Sequence, residues 1–113
     1  YTGTDGSLYV FEAPIDLLSY ISLYPSDWQS HSYVACCGTS IQPVLEQLRR
    51  QDIDSAYLCL DNDSAGQKAA QRMEAELSER GIYVEIVVPT LKDWNDDLRK
   101  EEQKWTQTSG LSL

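Results

Sequence analysis

The sequence predicts an α/β domain: a mainly parallel four-stranded sheet flanked by helices. Three observations predict it. Four short stretches rich in aromatic, β-branched or other apolar residues alternate with four amphipathic helical stretches. The third of them, Ala56–Leu60, is uniformly apolar, as a strand covered on both faces is. The chain is 113 residues long, enough for one hydrophobic core and one domain, with no repeat or low-complexity segment. The domain is expected to span 1–113, with its core at about 7–105. Because the first residue is Tyr1 and not Met, it is expected to be a piece of a longer protein.

Each element has a local reason. Ser7–Phe11 (SLYVF) reads as a strand. Pro14 suits the first turn of a helix, for which Ile15, Leu17, Leu18, Ile21 and Leu23 supply the apolar stripe. A polar loop runs from Tyr24 to Ser32. Tyr33–Cys37 (YVACC) is the second strand and stops at Gly38. Thr39 with Gln42 fits a capping box, and Val44, Leu45 and Leu48 face inward behind it. Ala56–Leu60 ends in Asp61-Asn62-Asp63. Ser64 with Gln67 fits a second capping box, opening a helix that runs through Arg80 with Ala69, Ala70, Met73 and Leu77 inward; Gly81 terminates it. Ile82–Val88 is the fourth strand. The last helix begins in Lys92–Asp97 and ends near Trp105, with Trp94 and Trp105 packing it on the sheet and 106–113 frayed.

Composition excludes several functions. There are 18 Asp+Glu against 9 Lys+Arg, a net charge of −9, and no Lys or Arg precedes Arg49. Such a domain does not grip nucleic acid unaided, because that binding rests on cations neutralising phosphates. No apolar run approaches the roughly 20 residues of a membrane span, and the first residues given carry no basic-then-apolar pattern of a signal peptide. Cys36, Cys37 and Cys59 lack metal-ligand spacing, which suits reduced thiols in a cytoplasmic protein. The phosphate-loop motifs GxxxxGK[ST] and GxGxxG are absent, and a Ser-His-Asp site would have to use His31, the one histidine.

The acids are placed more tellingly than they are numerous. In a parallel sheet all strand C-termini share one rim, where ligands of open α/β sheets bind. Glu12 follows the first strand, Asp61 and Asp63 follow the third, Asp93 follows the fourth, and Asp16 lies one helical turn beyond Glu12. Gly38 offers the same rim backbone N–H groups or room, and Gly66 permits close backbone approach at a helix N-terminus that favours an anion. Clustered carboxylates repel unless a cation sits among them, and an all-oxygen donor set suits Mg²⁺ or Mn²⁺. Taken singly, Asp16, Asp63 and Asp93 also read as helix caps. Asp96, Asp97, Glu101 and Glu102 read as a solvated helix face.

Four strings carry these residues: Val10-Phe11-Glu12-Ala13-Pro14-Ile15-Asp16-Leu17-Leu18-Ser19, Gly38-Thr39, Leu58 to Ala70 (LCLDNDSAGQKAA), and Lys92-Asp93-Trp94-Asn95-Asp96. Together they resemble the glutamate motif, the glycine after strand two, the DxDxxG motif and the last motif of the Toprim domain, shared by topoisomerases, bacterial-type primases and some nucleases. The resemblance spans about 7–100 and is closest to primase-type modules of plasmid and conjugative-element proteins. It implies a Rossmann-like Toprim fold. It implies that Glu12 acts as general acid or base or helps hold metal, that Asp61 and Asp63 bind Mg²⁺ (or Mn²⁺), that Asp16 and Asp93 complete the rim, and that Lys92 touches phosphate. The implied function is metal-dependent nucleotidyl transfer in a primase-like DNA-processing protein. The alternatives are a phosphodiester-cleaving nuclease or topoisomerase module, or a non-catalytic docking module. DNA and nucleotides would be engaged mainly through flanking domains, with protein partners in replication or plasmid transfer. The family usually places Gly directly after its glutamate, where this chain has Ala13; if that turn needs positive φ, Ala13 costs roughly 1 kcal/mol.

Overall fold

The computed structural model describes the backbone of residues 1–110. Its elements are β1 (Ser7–Phe11), α1 (Pro14–Leu23), a 3₁₀ turn (Trp28–Ser30), β2 (Ser32–Ala35), α2 (Gln42–Arg50), β3 (Ser55–Leu58), α3 (Ser64–Glu79), β4 (Tyr83–Ile86) and α4 (Trp94–Gly110). The four strands form one sheet in the order β2-β1-β3-β4, every pair parallel. The predicted α/β architecture is therefore the observed one.

Period-two alternation divides the core between the sheet's faces. Leu8 and Val10 of β1 and Ala56 and Leu58 of β3 pack with Val44 of α2 and Ala69, Ala70, Met73 and Leu77 of α3. The other face carries Tyr9 and Phe11, with Tyr33 beside Tyr9 in register, and packs with Tyr20 of α1 and Trp94 of α4. Trp94 is buried and its indole N–H donates to the Cys59 carbonyl at 3.0 Å, so a large apolar side chain also satisfies a backbone acceptor in the core.

Several boundaries differ from the sequence reading. Regular pairing ends at Ala35, Leu58 and Ile86, short of Cys37, Leu60 and Val88. Single ladder bonds continue past it, from the Cys36 N–H to Phe11 and from the Cys59 N–H to Val10. Neither capping box forms. Helix α2 starts at Gln42, whose N–H donates to Ser40 Oγ at 3.2 Å. Helix α3 is capped one residue earlier than expected, by Asp63. The terminus of α3 follows expectation: Gly81 has φ +81°, its N–H donates to Ser78, and the Ile82 N–H donates to Leu77, a Schellman arrangement.

The stripe expected on α1 is its inner face only in part: Leu17, Ile21 and Leu23 pack on the core beside Phe11 and Trp94. Ile15 and Leu18 are 54% and 60% exposed, while Asp16 and Ser19 are buried. Hydrophobicity alone orients a helix correctly only when no polar position has a partner waiting inside, and here α4 supplies one. Trp105 is 71% exposed and does not pack on the sheet. Helix α4 continues to Gly110, so 106–110 are helical backbone, and the fraying expected of 111–113 falls outside the described residues.

Candidate metal centre

The chain leaves β1 for β2 on one side and returns through α2 to β3 on the other. The crevice beyond the C-terminal ends of β1 and β3 is thus the topological switch point of the sheet. Glu12 stands at the end of β1 and Asp61 three residues beyond β3. Glu12 Oε2 accepts the Asp61 N–H at 3.3 Å, and the Glu12 carbonyl accepts the Gly38 N–H at 3.0 Å. One residue therefore joins the exits of β1, β2 and β3.

Asp16, Asp61 and Asp93 converge. Each offers a carboxylate oxygen, and the three oxygens lie within 4.8 Å of one another. Asp16 is 4% exposed on the inner side of α1, where its Oδ1 accepts the Asn95 N–H of α4 at 3.2 Å. Asp93 precedes α4, and its Oδ1 accepts the Asp96 N–H at 2.8 Å. Asp61 Oδ1 is buried with no hydrogen-bond partner.

The electrostatics follow from this crowding. Burial lifts Asp61 to about 7, and the carboxylates of Glu12, Asp93 and Asp63 push in the same direction. Burial also lifts Asp16 to about 6; the Asn95 N–H opposes the shift, and the Asp93, Asp61 and Asp96 charges add to it. A buried acceptor without a donor, facing two further carboxylates, is the environment a hard cation relieves. The donors are all oxygen, so they fit Mg²⁺ or Mn²⁺.

The remaining expected site residues fall elsewhere. Asp63 lies outside the trio: it is the N-cap of α3, and its Oδ1 accepts the Gly66 N–H at 2.7 Å. That bond occupies the N–H expected to face an anion. Gly66 has a steric reason instead, since a β-carbon there would sit 2.3 Å from the Asp61 carbonyl oxygen. Gly38 adopts φ +141° next to Cys37 at φ +56° and supports Glu12 from below. Lys92 is exposed, and its carbonyl accepts the Asn62 N–H at 2.6 Å, which ties the loop after β4 to the loop after β3. Ala13 is extended, φ −135° and ψ 151°, so the turn after Glu12 needs no positive φ and its β-carbon adds no backbone strain.

Sequence reasoning missed the support around the acids. Ser19 Oγ donates to the Ile15 carbonyl at 2.7 Å and lies 3.4 Å from Asn95 Oδ1. Asp97, read as solvated, accepts the N–H groups of Thr90 and Leu91 at 2.8 and 2.7 Å and holds the loop before α4. The readable signal was Asn95 within the last motif; nothing in the sequence singled out Ser19 or Asp97.

Residues 9–98 match the family profile described as Toprim-like. The chain belongs to the Toprim-like family. It is 25% identical over 105 residues to an uncharacterized protein of Mycoplasma genitalium, covering 90% of this chain and 46% of that protein. It is 31% identical over 94 residues to a DNA primase of Mycoplasma pneumoniae, covering 83% of this chain and 14% of the primase. The chain thus spans less than half the length of these relatives. The primase fragment of the bacteriophage T7 primase-helicase superposes with a TM-score of 0.62 at 21% identity, over 95% of this chain and 44% of that one. This likeness shows a shared fold. No helix among the described residues is long and apolar enough to cross a membrane.

Proposed function

We propose that this Toprim-like chain is the metal-dependent nucleotidyl-transfer domain of a primase-like, cytoplasmic DNA-processing protein. The observation that carries the proposal is the convergence of Asp16, Asp61 and Asp93, together with a buried Asp61 Oδ1 that has no hydrogen-bond partner. Asp16, Asp61 and Asp93 would hold Mg²⁺ or Mn²⁺, with Asp63 and Glu12 beside them. When bound, the ion supplies charge stabilisation to a phosphoryl group and its leaving oxygen. Glu12 lies outside the trio, its Oε2 accepting the Asp61 N–H, and is the group assigned to take a proton from an attacking hydroxyl. The Gly38 and Asp61 N–H groups fix its backbone and side chain for that task. Lys92, exposed on the same rim, would meet phosphate. The net charge of −9 leaves most of the grip on DNA template and nucleotides to other parts of the protein, or to partners in replication or plasmid transfer.

The test is made on the polypeptide that carries these residues in the cell, given single-stranded DNA, ribonucleotides and Mg²⁺. Labelled oligonucleotide synthesis that is lost in Glu12→Gln is the expected result. Cleavage of the DNA without synthesis would assign the same site to phosphodiester hydrolysis. Neither activity would leave a docking module.

A further inference from the structure

On the sheet face opposite α1 and α4, the loop after β2 and helix α3 line a half-open cavity of about 310 Å³. This lies at the lower end of the volumes typical of small-molecule sites. Its floor is apolar: Ala69 and Met73 are buried and Ile41 is half-buried. Its rim is polar, formed by Thr39, Ser40, Arg72 and Glu76.

The rim has unspent hydrogen-bonding capacity of one kind. Arg49, Arg50 and Arg80 each pair with a glutamate three or four residues earlier. Arg72 does not. Glu76, four residues after it, is paired with Arg80 at 3.8 Å, and Arg72 has no ion pair among the described residues. In a chain of net charge −9, an unpaired guanidinium over a cavity selects an anion. Ser40 Oγ accepts the Gln42 N–H, so its own proton remains to donate, and the Thr39 hydroxyl has no partner among the described residues. An apolar floor beneath such a rim fits a flat aromatic body attached to a phosphate. Glu76 stands where an exocyclic amine could donate to it.

We propose that this cavity binds a nucleotide, its base on Ile41, Ala69 and Met73 and its phosphate on Arg72, Thr39 and Ser40. The choice of a nucleotide over another aromatic anion rests on the nucleotidyl-transfer reading; the cavity itself does not. The same loop is tied to the carbonyl of Glu12 through the Gly38 N–H.

The test is an amide NMR titration of the chain with adenosine monophosphate in the presence of a chelator. The chelator keeps the acidic rim free of metal, so metal binding by Asp61 and Asp93 can fail or succeed independently. The expected result is saturable shifts at 39–41 and 69–76, with binding weakened about tenfold or more in Arg72→Gln. Because Arg72 is exposed, this variant keeps its fold. Adenosine and inorganic phosphate should each bind more weakly than the nucleotide. Any of three results would overturn the proposal: no saturation at millimolar concentration, shifts confined to the rim around Glu12, Asp61 and Asp93, or equal affinity of Arg72→Gln and wild type. Phosphate binding as tightly as the nucleotide would also overturn it, by leaving the floor without a role.

Discussion

The Asp61 N–H donates to Glu12 Oε2 at 3.3 Å, although the two residues are 49 apart in sequence. The bond spans the exits of the adjacent strands β1 and β3. It places an acceptor-only side chain next to a second carboxylate whose own Oδ1 has no donor. Without a cation such an arrangement costs stability, and the cost has measurable consequences.

The first consequence is a pH dependence of unusual sign. Asp61 and Asp16 titrate near 7 and 6 in the folded chain against an ordinary value of 3.8. Between those values the native state holds protons that the unfolded chain has lost. For these two groups, stability is therefore fullest below about pH 4 and falls as pH rises toward 7. Asp61→Asn removes the larger part of this penalty. Thermal denaturation in chelator should show Asp61→Asn melting above wild type at pH 7 and above, with the gap closing in acid. A lower melting temperature at neutral pH would contradict the account.

Gly66 tests the packing of α3 against the β3 exit. A β-carbon there would lie 2.3 Å from the Asp61 carbonyl, a backbone atom that cannot swing aside. Gly66→Ala should destabilise by about 1–3 kcal/mol in chemical denaturation, despite the better helix propensity of alanine. A neutral or stabilising effect would mean that α3 can move freely at this point.

Asp63 tests the cap. Its Oδ1 accepts the Gly66 N–H, so Asp63→Ala should cost about 1 kcal/mol and Asp63→Ser should recover most of that. The measurement is the same denaturation series. Equal stability of all three would show that the capping bond contributes nothing.

Asp97 tests the loop that presents Asp93. Losing the bonds from Thr90 and Leu91 should cost about 1–3 kcal/mol in Asp97→Ala and speed hydrogen exchange at those two amides. Unchanged exchange there would show that the loop is held by other contacts.

The fold and the rim were legible in the sequence for the same reason. Apolar runs ending before Glu12, Asp61 and Pro89 locate the strands, though β3 and β4 stop two residues short of those ends, and a parallel sheet places all the strand exits on one edge. What was not legible depends on partners far away in the chain. Asp16 faces inward and Ile15 outward because Asn95, 79 residues away, offers a backbone N–H to Asp16; a helical wheel contains no such information. Asp63 and Ser64 are both good cap residues, and the choice between them follows from how closely Gly66 approaches Asp61. Asp97 looked like one more surface acid because its donors, Thr90 and Leu91, lie in a loop without periodicity.

The central claim is that Asp16, Asp61 and Asp93 form a seat for a divalent cation. Calorimetric titration of the chain with Mn²⁺ and Mg²⁺ tests it most directly. The account predicts saturable binding by the wild type, weakened at least about tenfold in Asp61→Asn and in Asp93→Asn. Absence of binding by the wild type, or affinity unchanged in both variants, would contradict it.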